Sequence, residues 1–150
     1  MSELEKRLED LLKPLLEERG LTLVDLELKG VGNRQILRIY IDKPGGVTLR
    51  DCEDLSREFS VLLDIEDPIE GSYILEVSSP GADRVLKKER ELRWAIGRAV
   101  QVTTPQGMIL GTLREVDETS VTLDTPDGPL RIPRREIQVI RLSMKEVEHE

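Results

Sequence analysis

The chain has 150 residues, 35% of them charged and 38% hydrophobic, a balance typical of a globular protein and not of a disordered one. Its formal net charge of -8 argues against a protein that coats nucleic acid by bulk attraction, although a local basic patch on an acidic body is compatible with it. The single cysteine excludes an intramolecular disulfide, and its scarcity together with that of Asn favours a thermophilic source. Neither a signal peptide nor an apolar run of about 20 residues is visible, so we expect a cytoplasmic protein without a membrane segment.

The first segment is predicted to be an amphipathic helix. Ser2 and Glu5 have the spacing of a capping box, in which each side chain accepts a hydrogen bond from a backbone N–H at the helix start. Gly20 is expected to end the helix, and Pro14 is expected to kink or restart it. The apolar face of this helix is predicted to consist of six leucines, Leu4, Leu8, Leu11, Leu12, Leu15 and Leu16.

Two strands are predicted next, because apolar and polar residues alternate strictly over residues 24–29 and again over 37–42. Each strand is expected to bury one face and to expose the other to water, which puts Asp25 on the wet side of the sheet. The glycine-containing segment 30–33 between the strands is typical of a hairpin loop.

A second helix is predicted to begin at Thr48, with Asp51 as its capping partner, and to end before Pro68. A third strand is predicted at residues 73–77. The order α-β-β-α-β then predicts that residues 1–83 form a two-layer α/β domain, with both helices on one face of a small antiparallel or mixed sheet. The apolar face of the second helix is predicted to consist of Cys52, Leu55, Phe59, Leu62 and Leu63.

Residues 84–97 are predicted to be a basic connector, in which a short helix buries Leu92 and Ile96. Strand patterns separated by turn residues follow through residues 98–143. Five short strands in so short a segment favour a small closed or nearly closed β-barrel, because closure removes exposed strand edges. Residues 144–150 are predicted to be a polar tail, and the whole chain is predicted to belong to the α+β class.

The sequence lacks the residues that common catalytic and metal sites require. A hydrolytic triad uses His as its base and a zinc site needs several Cys or His ligands, but the only His is His149 in the predicted tail. Cys52 is predicted to be a small buried hydrophobe, and the acids of the second helix to be a solvated face. The loop 44–48 lacks the Gly-Lys-Ser/Thr ending of a phosphate-binding loop. We therefore expect no enzyme activity, no metal and no cofactor.

The densest basic stretch is the predicted connector, which makes it the main candidate for contacts with RNA phosphates. The alternative is a solvated linker whose bases form ion pairs between domains, and the bases alone do not separate the two. Few aromatic residues lie nearby, which argues against base stacking. The candidate RNA-binding or ribosome-binding residues are Arg84, Lys87, Lys88 and Arg90, with Arg34 and Arg38 as the next candidates.

Three segments carry a family signature. They read LRIYIDKPGGVTLRDC at residues 37–52, LEVSSPGADR at 75–84 and GTLREVDETSVTL at 111–123, followed by Ile132-Pro133. In this order and spacing they resemble the bacterial ribosome maturation factor RimP family. The chain departs from the family pattern at Ala82, where Leu is usual, and at Val85, where Pro is common.

The resemblance implies an N-terminal domain similar to KH-type RNA-binding folds and a C-terminal SH3-like or Sm-like barrel. It also implies a role in maturation of the small ribosomal subunit, with binding to free small subunits and small-subunit rRNA. A further implied role is assistance in the incorporation of a decoding-centre ribosomal protein, small-subunit protein number twelve. No cofactor is implied, and we expect a monomer.

The most specific of the three segments contains a turn whose role the sequence leaves open. Its residues could lock the first domain to the second, or they could present a charged pair to a partner. Three functions compete: an assembly chaperone for RNA and protein, a protein-only adaptor that uses the barrel to hold a peptide, and an enzyme whose carboxylates would have to converge in a deep pocket. The turn residues are Ser78, Ser79, Pro80, Gly81, Asp83 and Arg84.

Overall fold

The computed structural model describes residues 2–81 and 84–143. Backbone contacts divide the chain into two compact units, Met1–Pro80 and Gly81–Glu150. Each unit contains its own cluster of buried hydrophobic residues. The predicted tail 144–150 lies outside the described residues.

The first unit has the predicted order α-β-β-α-β. Its three strands form one sheet in the order β1-β2-β3, in which β1 and β2 are antiparallel and β2 and β3 are parallel, so the sheet is mixed. The elements are α1 (Glu3–Arg19), β1 (Thr22–Lys29), β2 (Gln35–Asp42), α2 (Leu49–Glu66) and β3 (Tyr73–Ser78).

Both predicted capping boxes are present and fix where the helices begin. The Glu5 N–H donates to Ser2 Oγ and the Ser2 N–H donates to Glu5 Oε1, and Thr48 and Asp51 exchange the same pair of bonds at the start of α2. Gly20 ends α1 in the left-handed conformation, as predicted, with φ of 67°. The helix α1 runs through Pro14 as one element, so the predicted restart does not occur.

The core of the first unit is formed by the apolar faces of both helices against one face of the sheet. The alternation predicted for residues 37–42 of β2 is confirmed, because Leu37, Ile39 and Ile41 are fully buried and the residues between them are not. Helix α2 ends at Asp67, whose φ of 46° stops the helix just before Pro68. The most deeply buried large side chains of this core are Leu8, Leu12, Leu26, Leu37, Ile39, Ile41, Leu55, Phe59 and Leu63.

One expectation for β1 is wrong. The pairing with β2 shifts between Leu23 and Asp25, so that Leu23 pairs with Ile41 and Asp25 pairs with Tyr40. The residue between them occupies a β-bulge, which interrupts the strict alternation. Asp25 is buried, not solvent-exposed, and its carboxylate accepts a hydrogen bond from the Leu26 N–H at 2.9 Å.

The second unit is rich in strands. Its five-stranded sheet has the order β7-β6-β5-β4-β8, and every pairing in it is antiparallel. A pairing of β7 with β8, which would close a barrel, does not occur in the described part of the chain. The elements are α3 (Glu89–Trp94), β4 (Ala99–Thr104), β5 (Gly107–Val116), β6 (Ser120–Thr125), β7 (Gly128–Pro133), a short 3-10 helix (Arg134–Glu136) and β8 (Val139–Leu142).

The segment 84–97, which the sequence predicts to be a connector, lies within the second unit. The Leu86 N–H donates to the Ile140 carbonyl at 2.8 Å, and the Leu142 N–H donates to the Arg84 carbonyl at 2.9 Å. These bonds pair the start of the segment with β8. They satisfy backbone N–H and C=O groups of this last strand that would otherwise lack a partner. The segment contributes Leu86, Leu92 and Ala95 to the core, whereas Ile96, which we expected to be buried, is 44% exposed.

Among the described residues, no helix combines the length and the apolar character that a membrane-spanning helix requires.

Candidate functional site

The two basic candidates of the first unit lie in different environments. Arg34 is exposed in the loop between β1 and β2, which Gln35 ties to the loop before β3 by donating to the Glu70 carbonyl at 2.7 Å. Arg38 projects from β2, and its Nε donates to Glu76 Oε2 at 2.9 Å. This hydrogen bond raises the pKa of Arg38 above its ordinary value. Arg34 is therefore the more accessible of the two for a phosphate.

Arg84 is held inside the second unit by a buried acid. Its Nε donates to Glu91 Oε2 at 2.7 Å, and the side chains of Arg84 and Glu91 are 15% and 3% exposed. The other carboxylate oxygen of Glu91 accepts the Lys88 N–H at 3.1 Å, at the start of α3. Because an unpaired buried charge is energetically costly, we infer that Arg84 stabilises the fold of this unit. The role of Glu91 was not predicted from the sequence.

The remaining bases around α3 differ in accessibility. Lys87 and Arg93 are exposed, whereas Lys88 and Arg90 are half-buried and are already engaged in polar or electrostatic interactions. Arg98 lies over the ring of Trp94, with its guanidinium carbon 4.4 Å from the ring centroid, which is the geometry of a cation–π contact. Lys87 and Arg93 are thus the bases of this segment most open to a partner.

A second ion pair connects α3 with the short 3-10 helix. Both terminal nitrogens of Arg134 bond to the carboxylate of Glu89. This hydrogen bond lowers the pKa of Glu89 and raises that of Arg134. Nothing in the local sequence indicates this pairing, because the two residues are 45 positions apart.

The second unit contains an apolar cavity of about 330 Å³. Among the described residues that line it, the charged ones are Lys87 and Arg134, and none is acidic. The cavity could hold an apolar group that carries negative charge. Its apolar walls include Leu86, Leu92, Val121, Ile137 and Ile140.

A groove of about 650 Å³ lies in the first unit between α2 and β3. Ser56 and Ser60 of α2 line it together with Leu75 and Val77 of β3, so its surface is part polar and part apolar. Residue patterns alone do not predict this groove, because it depends on which strand lies at the edge of the sheet.

The predicted turn begins where β3 ends. Ser78 is the last residue of β3, and Ser79 and Gly81 are exposed. The Arg84 N–H donates to the Gly81 carbonyl at 3.1 Å, which closes the turn after Pro80. Asp83, the remaining residue of the predicted set, lies outside the described residues.

The carboxylates with the strongest shifts have structural partners. The hydrogen bond from Lys43 and the capping bonds of Thr48 lower the pKa of Asp51 to about 2. Backbone hydrogen bonds from Thr119 and Ser120 lower the pKa of Asp117 to about 2. Burial raises the pKa of the Cys52 thiol, which suits a small core residue and not a nucleophile. The described residues contain no cluster of His, Cys, Asp and Glu able to hold a metal ion.

The same half of the chain that carries the groove and the mixed sheet matches a known family. Residues 11–83, from the middle of α1 to just beyond β3, match the family model of the RimP N-terminal domain. That match covers the first of the three segments on which the resemblance rests and all but the last residue of the second. The chain is therefore a member of the RimP family of ribosome maturation factors.

Proposed function

We propose that this protein binds free small ribosomal subunits during their maturation and assists the incorporation of small-subunit ribosomal protein number twelve. It acts in the cytoplasm as a monomer, without enzyme activity, metal or cofactor. Membership of the RimP family supports the ribosomal role. The absence of a metal-ligand cluster from the described residues is compatible with a purely binding function.

The observation that carries the proposal is the division of charge between the two units. The first unit, Met1–Pro80, contains 18 acidic and 10 basic residues, which gives it the whole net charge of -8. The second unit, Gly81–Glu150, contains 12 of each. A basic ribosomal protein is attracted to the first unit by its field, while the neutral second unit repels RNA far less.

The RNA contacts are proposed to involve accessible bases of both units. Lys87 and Arg93 near α3 and Arg34 in the hairpin loop are exposed, so each is accessible to a phosphate oxygen. Lys88, Arg90 and Arg38, which we also predicted, are secondary because each is engaged or paired. Arg84 is removed from the set, since its ion pair with Glu91 is buried.

We further propose that the two units are independent domains with the folds that the family resemblance implies. The first is KH-like. The second is an SH3-like or Sm-like barrel, which its five short antiparallel strands support. The domain boundary then lies near Gly81, closer to the N-terminus than the predicted connector.

Cosedimentation of the full chain with isolated small subunits, over a series of salt concentrations, tests the proposal. Binding is expected to weaken as salt rises, because phosphate contacts release counterions. Binding that is absent at low salt, or that is equal for free small subunits and complete ribosomes, would contradict the proposed function.

The alternative function is a protein-only adaptor that uses the second unit to hold a peptide. The cavity beside Lys87 and Arg134 favours it, because its apolar walls and positive residues suit a peptide with an apolar and an acidic group. Binding to naked small-subunit rRNA distinguishes the two functions, because an assembly factor binds this RNA and a protein-only adaptor does not.

A further inference from the structure

The two edges of the sheet in the first unit are built differently. The edge strand β1 is protected: it contains a β-bulge, and side-chain carboxylates satisfy two of its backbone donors. The Leu26 N–H donates to Asp25 Oδ1 at 2.9 Å, and the Leu28 N–H donates to Glu5 Oε2 at 3.1 Å. Bulges and charged side chains are the usual means by which a protein prevents another strand from pairing with an edge.

The opposite edge strand, β3, has none of this protection. Its sequence YILEVS contains neither Lys nor Pro, and its register with β2 is regular from Tyr73 to Ser78. Within residues 2–81 and 84–143, no hydrogen bond beyond its ladder with β2 reaches its backbone. A strand with one unpaired side presents alternating N–H and C=O groups to an incoming strand.

The groove between α2 and β3 lies beside this unprotected edge. Leu75 and Val77 of β3, which belong to the apolar face of the sheet, are only partly buried because no further strand covers them. Across the groove, Leu49 and Val61 of α2 are 76% and 57% exposed. A strand added to β3 would direct every second side chain into this groove, since side chains alternate between the two faces of a sheet.

The charge around the groove selects the partner. Among the described residues that line the groove, Glu53 and Glu76 are acidic and Arg57 is basic. Glu76 is paired with Arg38 on the neighbouring strand, so the excess negative charge comes from the acids around the groove. At the start of β3, Asp64 and Asp67 contribute, after burial, to raising the pKa of Tyr73. These acids belong to a unit whose net charge is -8. A polyanion is disfavoured here, whereas a basic polypeptide is attracted.

We propose that β3 accepts an extended, basic segment of a partner protein as a fourth strand, with its alternate side chains in the groove between β3 and α2. Backbone hydrogen bonds to the edge supply affinity and the groove supplies selectivity. The inference rests on the proposed function, because it assigns a binding site to the basic ribosomal protein. Separate experiments distinguish a failure of strand addition at β3 from a failure of the proposed function.

The test uses the full-length protein and a short peptide in which Arg and Val alternate. Amide hydrogen exchange should slow in β3 on peptide binding, and only at every second residue, because a strand's N–H groups alternate in direction. The same peptide with a central proline should bind more weakly. Replacement of Ser60 by Arg (Ser60→Arg), on the exposed face of α2 within the groove, should weaken the Arg-Val peptide about tenfold, or about 1.4 kcal/mol.

The matched control is Glu17→Gln on α1, which changes the net charge by the same amount at an exposed position outside the groove. Equal loss of peptide binding in both variants would overturn the proposal, because it would show bulk charge attraction. Protection of β3 by single-stranded RNA in place of the peptide would overturn it, as would protection by a second copy of this chain. Cosedimentation with small subunits tests the proposed function separately. If the wild-type protein does not cosediment, the proposed function is refuted, even if the peptide binds to the edge of β3.

Discussion

The two units of this protein differ most in how they treat charge. The first unit carries the entire net charge of -8, and its buried carboxylate, Asp25, lies at a bulge in an edge strand. The second unit has no net charge, and it buries Glu91 against Arg84. The first is built to present one sign of charge to its surroundings, whereas the second uses part of its charge inside its own fold.

This difference changes what the net charge of the whole chain implies about RNA binding. A net charge of -8 argues against RNA binding only if the charge is spread over the chain. Since it belongs to one unit, the other is electrostatically able to approach RNA while the first attracts basic proteins. Under the proposed function, the groove beside β3 and the exposed bases near α3 therefore bind different partners.

The largest expected effect tests whether the units have separate cores. Phe59→Ala should destabilise the first unit by about 3–5 kcal/mol, because it removes a fully buried ring and leaves a cavity. Leu113→Ala should destabilise the second unit by about 2–5 kcal/mol for the same reason. Denaturation followed by hydrogen exchange should show each change confined to its own unit, and an equal loss of protection in both units would contradict the division.

The buried pair of the second unit should be the next most sensitive. Glu91→Ala leaves Arg84 without its buried partner and is expected to cost about 3 kcal/mol. Glu89→Ala, on the same helix, breaks a more exposed pair with Arg134 and should cost less than about 1 kcal/mol. Urea unfolding of both variants measures the contrast, and similar losses would show that burial does not distinguish the two pairs.

A smaller effect is expected at the cap of α2, and it depends on pH. Thr48→Ala should cost about 1 kcal/mol, because it leaves a backbone N–H of the helix start without its side-chain acceptor. The pKa of Asp51 is lowered to about 2, so its contribution is present above the unfolded pKa of about 4 and is lost as pH falls towards 2. The stability difference between the wild type and Asp51→Asn should therefore shrink over this range, and a constant difference would contradict the assignment.

The smallest effect on stability is expected for the exposed bases. The double change Lys87→Ala and Arg93→Ala should alter stability by less than about 0.5 kcal/mol, because both side chains are solvent-exposed. The salt dependence of small-subunit binding should decrease by about one unit of slope for each lost phosphate contact. Arg114→Ala with Arg131→Ala removes the same charge from surface ion pairs of the second unit and serves as the control.

Local patterns predicted most of the fold. The capping boxes at Ser2 and Thr48 and the alternation of β2 depend on residues close together in sequence, so they could be recognised there. The bulge at Asp25 could not, because it depends on the register of one strand against another. The ion pair between Glu89 and Arg134 was likewise missed, since the two residues are 45 positions apart in the chain.

The candidate site was predicted less well than the fold. The prediction that segment 84–97 is a connector rested on its basic residues. It did not use the apolar Val85 and Leu86, which pack beside β8. Arg84 could not be distinguished from Lys87 by sequence, because only the folded segment brings Glu91 against the one and leaves the other exposed. The groove beside β3 depends on strand order, which residue patterns do not encode.

The most direct test of the division of function measures binding of the full chain to two separate ligands, small-subunit protein number twelve and naked small-subunit rRNA. Removing two negative charges from the first unit by Asp64→Asn and Glu66→Gln should weaken binding to the protein and spare the RNA. Removing two positive charges from the second unit by Lys87→Ala and Arg93→Ala should weaken binding to the RNA and spare the protein. If both variants weaken both ligands alike, or if neither has an effect, the two units do not divide the partners between them.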